Sequence, residues 1–122
     1  MLSTLSTLNG GDILIQAGFD YDNADRIIGF KLTGHADHSP YGSDIVCAAV
    51  SALSISTVNG LDSVASVQPI IAADQEDGGY LSVRMPPVDD YMQDRISQAL
   101  LRSFQNGLLD VEKQYSDYIR VQ

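Results

Sequence analysis

Two neighbouring stretches near the start of the chain alternate between apolar and polar positions. Every second residue is apolar in 13–19 and again in 26–33: Ile13, Ile15, Ala17 and Phe19, then Ile28, Phe30 and Leu32. A period of two is typical of a β-strand with one buried face. The polar segment 20–25 between them reads as a turn. The pattern therefore predicts a β-hairpin.

A helical pattern follows the hairpin after a loop. Apolar residues recur three or four positions apart at Ile45, Ala48, Ala49, Ala52 and Leu53, and Val46 and Val50 add a second flank. Such a helix should be buried on most sides. Ser43 or Asp44 is the predicted N-cap, because a short oxygen-bearing side chain accepts hydrogen bonds from the first backbone amides. Asn59-Gly60 is predicted to end the helix.

The second half repeats the order of strands and helix. Residues 67–72 and 80–85 read as another hairpin around 74–79, where two glycines allow a turn. Pro86-Pro87 ends that strand, and Asp89 or Asp90 begins an amphipathic helix. The predicted buried stripe of that helix is Met92, Ile96, Ala99 or Leu100, Ser103 or Phe104, Leu108, Val111 and Tyr115. Residues 118–121 add a short final strand.

The order ββαββαβ predicts an α/β protein in the α+β sense. Two helices would pack on a largely antiparallel or mixed sheet of about five strands. Residues 1–122 are interpreted as a single domain, with 1–12 as a loose tail. One face of the sheet would carry no helix, which invites dimerisation.

Charge and cysteine content narrow the function classes. The net charge of −9 argues against direct binding of nucleic acid, which needs clustered Lys and Arg. A single cysteine cannot form an internal disulfide. The N-terminal residues have no signal-peptide pattern, and the uncharged run 45–61 is interrupted by hydroxyl and amide side chains. We therefore expect a cytoplasmic protein with no membrane segment.

The residue types that could carry out catalysis lie where the second strand ends and the helix begins. His35 follows the strand, and Cys47, the single cysteine, is placed in the first helical turn. Unpaired amides and the helix dipole stabilise a thiolate there. An imidazole that takes the thiol proton would complete a nucleophilic pair.

Two other interpretations of these residues stay open. In the first, Cys47 is a small apolar residue packed beside a loop histidine. Alternatively, His35 and His38 with Cys47, and Asp37 or Asp44, could bind zinc. A closed zinc site would have to recruit carboxylates, because the chain has one cysteine and two histidines. We predict no metal and no cofactor.

The run GHADHSPYGSDIVCAAVSAL, residues 34–53, resembles the signature of the ribosomal-processing cysteine protease family of bacteria. The resemblance extends more loosely over about residues 13–121. It implies a catalytic dyad of His35 and Cys47, with a mobile loop between them. It further implies that the substrate is a basic large-subunit ribosomal protein, the twenty-seventh of that series. A short hydrophobic leader would be removed after a phenylalanine by a homodimeric enzyme.

Four further residues are candidates for supporting roles. Asp44 either caps the helix or orients His35. Ser51 lies one turn after Cys47, on the same helix face. Gly34 and Gly42 are interpreted as loop hinges. The competing function is a non-enzymatic acidic module that binds a ribosomal protein and keeps Cys47 as a buried structural residue.

Overall fold

The computed structural model describes residues 15–34, 42–74 and 80–122. Within these residues, five strands and two helices follow one another in the predicted order: β1 (Ile15–Tyr21), β2 (Ile27–Thr33), α1 (Gly42–Ser63), β3 (Ile70–Asp74), β4 (Tyr80–Arg84), α2 (Tyr91–Gln114) and β5 (Ile119–Val121). The predicted N-terminal tail, the loop after Gly34 and the glycine turn at 75–79 lie outside the described residues.

The five strands form one mixed sheet in the order β3-β4-β2-β1-β5. Only β5 runs parallel to its neighbour, β1, and the other pairs are antiparallel. Phe19 and Phe30 pair across β1 and β2 and meet Phe104 of α2, with ring centroids 4.6 to 5.9 Å apart. The predicted α+β architecture is confirmed.

A β-bulge changes the predicted alternation of β2. Asp20 pairs with Gly29 and Tyr21 with Ile27, so Ile28 is an additional residue opposite β1. The bulge turns Ile27 completely into the core and leaves Ile28 half-buried, whereas the alternation predicted Ile28 for the core. The side chain of Gln98 stabilises this point, since it accepts from Ile27 N at 2.8 Å and donates to Ile27 O at 2.9 Å.

Helix α1 differs from its prediction in length and in burial. It begins at Gly42 and ends at Ser63, so Asn59-Gly60 lies inside it and Asp44 lies within the first turn. One stripe is buried, rather than most sides: Val46, Val50, Ser54, Thr57 and Leu61. The predicted core residues Ile45, Ala48 and Ala52 are exposed. The stripe is narrow because the sheet and α2 cover α1 from one direction.

Within the described part of the chain, one segment of α1, Asp44–Ser63, is long and apolar enough to cross a membrane by length and composition. A helix that packs in a protein core meets the same criteria. The buried stripe of α1 belongs to the same core cluster as Phe30 and Leu101. Its two buried hydroxyls donate within the helix, Ser54 to Ser51 O at 3.1 Å and Thr57 to Leu53 O at 2.8 Å.

Helix α2 begins as predicted after Asp90, whose carboxylate accepts from Gln93 N at 2.9 Å. Its buried residues are Ser97, Leu101, Phe104 and Leu108. Phe104 and Leu108 confirm the predicted stripe in the C-terminal half of the helix, but Met92 near its start is 62% exposed. The first turn contacts the rest of the protein through polar side chains instead, Gln93 donating to Ser66 O and Asp94 binding Arg26.

Candidate active site

Cys47 is the sixth residue of α1 and is partly buried. It therefore lies in the second helical turn, one turn further along than predicted. The amides that lack a partner within the helix belong to the first turn, around Gly42 to Asp44. Cys47 thus stands beside the positive end of the helix but is not itself among the end residues.

A cleft of about 560 Å³ opens beside Cys47. Strands and helix both contribute to its wall: Ile15, Leu32, Gly34, Tyr80 and Leu81 on one side, and Cys47, Val50, Ser51, Ser54 and Ile55 on the other. The strand side is mainly apolar. The helix side carries the thiol and two hydroxyls. A thiol beside an apolar wall is an arrangement suited to a ligand with apolar side chains.

The helix side of the cleft follows the period of an α-helix. Its residues occupy positions 0, 3, 4, 7 and 8 relative to Cys47. Ser51 is therefore on the same face as Cys47, as predicted, and Ile55 lies about 12 Å further along the helix axis. Ile55 is 60% exposed. The cleft thus runs along α1 from the thiol to an exposed isoleucine.

The other predicted site residues lie in the cleft wall, in the first turn of α1, which contains Asp44, or outside the described part. Gly34 lines the cleft and has a φ of 80°, a conformation that favours glycine and fits a hinge at the end of β2. Gly42 is the first residue of α1. His35, and with it the predicted dyad, lies outside the described residues. The pairing of His35 with Cys47 therefore stays a prediction.

The alternative zinc site has the same status. No three His, Cys, Asp or Glu side chains come together within 15–34, 42–74 and 80–122. Both histidines and Asp37 belong to the segment between the first two of these ranges. A site built from them stays a prediction.

Sequence patterns did not identify the apolar wall as part of the site. Alternation predicts Leu32 for the core and Leu81 for an ordinary hairpin strand. Leu32 is indeed buried, whereas Leu81 is half-buried. Alternation shows which face of a strand is apolar, but it does not show where the covering helix stops.

A second groove, of about 490 Å³, lies at the opposite end of the hairpin and gathers Arg26, Arg95 and Arg102. Two of them lie over aromatic rings, Arg95 over Tyr91 at 5.8 Å and Arg102 over Tyr21 at 5.6 Å. Arg26 binds Asp22 and Asp94 at 2.9 and 3.3 Å. These basic residues appeared scattered in the sequence. The groove also contains carboxylates, so its net positive charge is small.

Comparison with protein families gives a match over residues 14–120 to a family described as "Cysteine protease Prp". The ribosomal processing cysteine protease Prp of Bacillus subtilis (strain 168) is 32% identical over 108 residues, which cover 88% of this chain and 96% of that protein. The protein of the same name from Staphylococcus aureus (strain Mu50) is 31% identical, with coverage of 88% and 97%.

Solved structures show the same similarity. A Streptococcus mutans protein superposes with a TM-score of 0.80 at 32% identity, covering 89% of this chain and 96% of that one. The essential ribosomal processing protease Prp of S. aureus, in complex with a substrate peptide, superposes with a TM-score of 0.78 at 29% identity. That match covers 89% of this chain and 98% of the other. The S. aureus protease has also been solved with a covalently linked product peptide.

Proposed function

The chain belongs to the cysteine protease Prp family, and from this premise we propose that it removes a short N-terminal leader from a basic large-subunit ribosomal protein, the twenty-seventh of that series. The coarser statement, a cysteine protease of ribosomal processing, follows from the family itself. The cleft beside Cys47 is the observation that carries the proposal, because it sets the one thiol of the chain against an apolar wall.

The proposed reaction uses Cys47 and His35 as a dyad. The Cys47 thiolate attacks the scissile carbonyl carbon, and His35 protonates the leaving amine as the peptide C–N bond breaks. A water molecule, deprotonated by His35, then attacks the thioester and releases the leader with a free carboxylate. Backbone amides at the start of α1 would stabilise the oxyanion in both steps. The relative with a covalently linked product peptide supports a covalent intermediate.

Asp44 and Ser51 have supporting roles in this proposal. Asp44 lies in the first turn of α1 and is exposed. Its negative charge interacts favourably with the positive end of the helix dipole, and its carboxylate is available to orient His35. Ser51 lines the cleft one turn after Cys47, where its hydroxyl can bind a peptide polar group. Asp44→Asn removes the charge that both roles use, so the two are separated by the readout: loss of the helix-end interaction lowers stability, whereas loss of the orientation of His35 lowers the cleavage rate.

Charge and surface features support the remaining parts of the proposal. The net charge of −9 attracts a basic precursor and steers its approach. The sheet face opposite the helices presents exposed polar side chains such as Gln16, Lys31 and Arg84, and we propose that this face is where a homodimer would form. We further propose a cytoplasmic location, no membrane contact and no direct contact with nucleic acid.

The proposal is tested by incubating the enzyme with the organism's own ribosomal precursor and measuring product mass. Wild type is expected to release a leader that ends in phenylalanine, and Cys47→Ala to release none while keeping the wild-type circular dichroism spectrum. His35→Ala is expected to match Cys47→Ala. Cleavage by Cys47→Ala would overturn the assignment of the nucleophile. Slow alkylation of Cys47 at neutral pH, together with an intact precursor, would favour the non-enzymatic module.

A further inference from the structure

The second groove gathers cations that are scarce elsewhere on this acidic chain. The chain has seven Lys and Arg residues against sixteen Asp and Glu residues, and three of the seven line this one groove. Arg26 is neutralised there by Asp22 and Asp94. Arg95 and Arg102 form no ion pair within the part of the chain that the structure describes. Two guanidinium charges are therefore available to a ligand.

These two guanidiniums are positioned by neutral groups. Arg102 lies 5.6 Å from the ring centroid of Tyr21 and donates to the backbone carbonyl of Asp25. Arg95 lies 5.8 Å from the ring centroid of Tyr91. Asp25 also lines the groove and brings one carboxylate against the two guanidiniums. A guanidinium stacked on an aromatic ring keeps its in-plane N–H donors accessible, so an anion can bind with little further ordering of these side chains.

Ala99 leaves a space between the two arginines of α2. It lies four residues after Arg95 and three before Arg102, so all three share one face of the helix. Along the helix axis it is about 6 Å from Arg95 and about 4.5 Å from Arg102. Ala99 lines the groove and is exposed. The open space above its methyl group thus has a guanidinium on each side, and a phosphate fits there because each guanidinium can donate two parallel hydrogen bonds to its oxygens.

An exposed aromatic ring adjoins this space. Tyr91, the first residue of α2, lines the groove and is 69% exposed. Nucleobases stack on exposed aromatic side chains of this kind. The groove, at about 490 Å³, has the size of a small-molecule site. The net charge of −9 disfavours a polynucleotide with its many phosphates, whereas a mononucleotide brings a single phosphate group.

We propose that the second groove binds a nucleoside monophosphate, with its phosphate over Ala99 between Arg95 and Arg102 and its base against Tyr91. The groove lies at the turn between β1 and β2, whereas Cys47 lines the cleft at the other end of this hairpin. The inference is therefore independent of the proposed proteolytic function and adds a second site to the protein.

The chain offers variants that separate specific binding from overall charge. Arg95→Gln and Arg102→Gln each remove one positive charge from the groove. Arg120→Gln removes one positive charge outside it, from an exposed residue of β5 that pairs with Gln16. Ala99→Leu changes no charge and fills the space between the two guanidiniums. Both Ala and Leu are strong helix formers, so this exposed substitution preserves α2.

The test is a titration with adenosine monophosphate at low ionic strength, followed by backbone amide NMR shifts. Wild type is expected to show saturable shifts around Ala99. Arg95→Gln and Arg102→Gln should each weaken binding about tenfold, as loss of a charge-assisted hydrogen bond does, and Arg120→Gln should leave it unchanged. Ala99→Leu should weaken it at least as much as either arginine variant. Inorganic phosphate should bind more weakly than the nucleotide, and Tyr91→Ala should reduce their difference.

Three results would overturn the inference. The first is the absence of saturable shifts around Ala99 in wild type. The second is an equal loss of affinity in Arg120→Gln and the two groove variants, which would show attraction by overall charge alone. The third is wild-type affinity in Ala99→Leu. Inorganic phosphate that binds as tightly as the nucleotide would overturn the assignment of the base to Tyr91. Precursor cleavage enters none of these measurements.

Discussion

Leu53 of α1 lies directly over Gly107 of α2, with both of its Cδ atoms 3.2 Å from the position that a Cβ on residue 107 would occupy. Seven residues along α1 and seven back along α2, Leu100 lies over Gly60 at 3.5 Å. The two helices are therefore antiparallel and meet through two reciprocal pairs of leucine and glycine. This close approach holds α1, and with it Cys47, against the rest of the core.

Alanine at these two glycines should have different effects. Gly60→Ala gains helix propensity of about 1 kcal/mol at an ordinary contact distance, so we expect a more stable protein. Gly107→Ala gains the same propensity but displaces Leu53, so we expect it to be less stable than Gly60→Ala by about 1 kcal/mol. Urea unfolding of both variants measures the difference. Equal gains would show that Leu53 moves aside without cost.

Removing the side-chain amide of Gln98 should destabilise the bulge. Gln98→Met keeps the length of the side chain but leaves the N–H and C=O of Ile27 without their partner. We expect the free energy of unfolding to fall by about 1–3 kcal/mol, because both groups are shielded from water. Gln105→Met is the control, since the partner of Gln105 among the described residues is the hydroxyl of the exposed Tyr21. Chemical denaturation gives both values, and similar losses would contradict the role of Gln98.

Ser97 has a hydroxyl that is completely buried and, among the described residues, has no hydrogen-bond partner. Ser97→Ala removes that unpaired group, so we expect a gain in stability of about 1 kcal/mol or more. Ser103→Ala on the exposed side of the same helix reports the helix propensity alone. If thermal unfolding gives the two variants the same gain, Ser97 Oγ has a partner in solution.

The turn between β1 and β2 should weaken in acid. Hydrogen bonds from the backbone amides of Arg26 and Ala24, and the Arg26 guanidinium, hold the pKa of Asp22 below its usual 3.8. A carboxyl with a lowered folded pKa stabilises the protein above its unfolded pKa, and this contribution is lost as pH falls through the folded pKa. Carbon-detected NMR titration should place the pKa of Asp22 below 3.8. Asp22→Asn should remove the part of the stability loss in acid that protonation of Asp22 causes.

Much of the fold could be predicted because strand alternation and helix signals act locally. Both described strands of the first hairpin, the cap at Asp90 and the short last strand lie where the sequence places them. The burial of Ile27 in place of Ile28 could not be predicted, because a bulge depends on the pairing partner and on Gln98, which is 71 residues away. The extension of α1 through Gly60 was missed for a similar reason. A glycine that ends a helix and one that admits a neighbouring leucine look identical in the sequence.

The candidate site was predictable at Cys47 and Ser51 because helical spacing fixes their common face. The apolar wall was not predictable, since Tyr80 and Leu81 reach the cleft only after β4 has joined β2. Exposure of Ile71 also depends on how far the helices extend over the sheet. How much of the sheet the helices cover depends on how the helices and the sheet pack together, and no single segment of the sequence determines it.

Ile15 lines the cleft, and it is held by β5 through its pairing with Ile119 and its hydrogen bond to Tyr118 O at 3.0 Å. Strand β5 is fixed in turn by Glu112, which accepts from Val121 N at 2.9 Å. The part of the cleft wall formed by Ile15 therefore depends on a strand that is synthesised about a hundred residues later. A nascent chain that already contains Cys47 therefore still lacks the strand that holds Ile15 at the cleft.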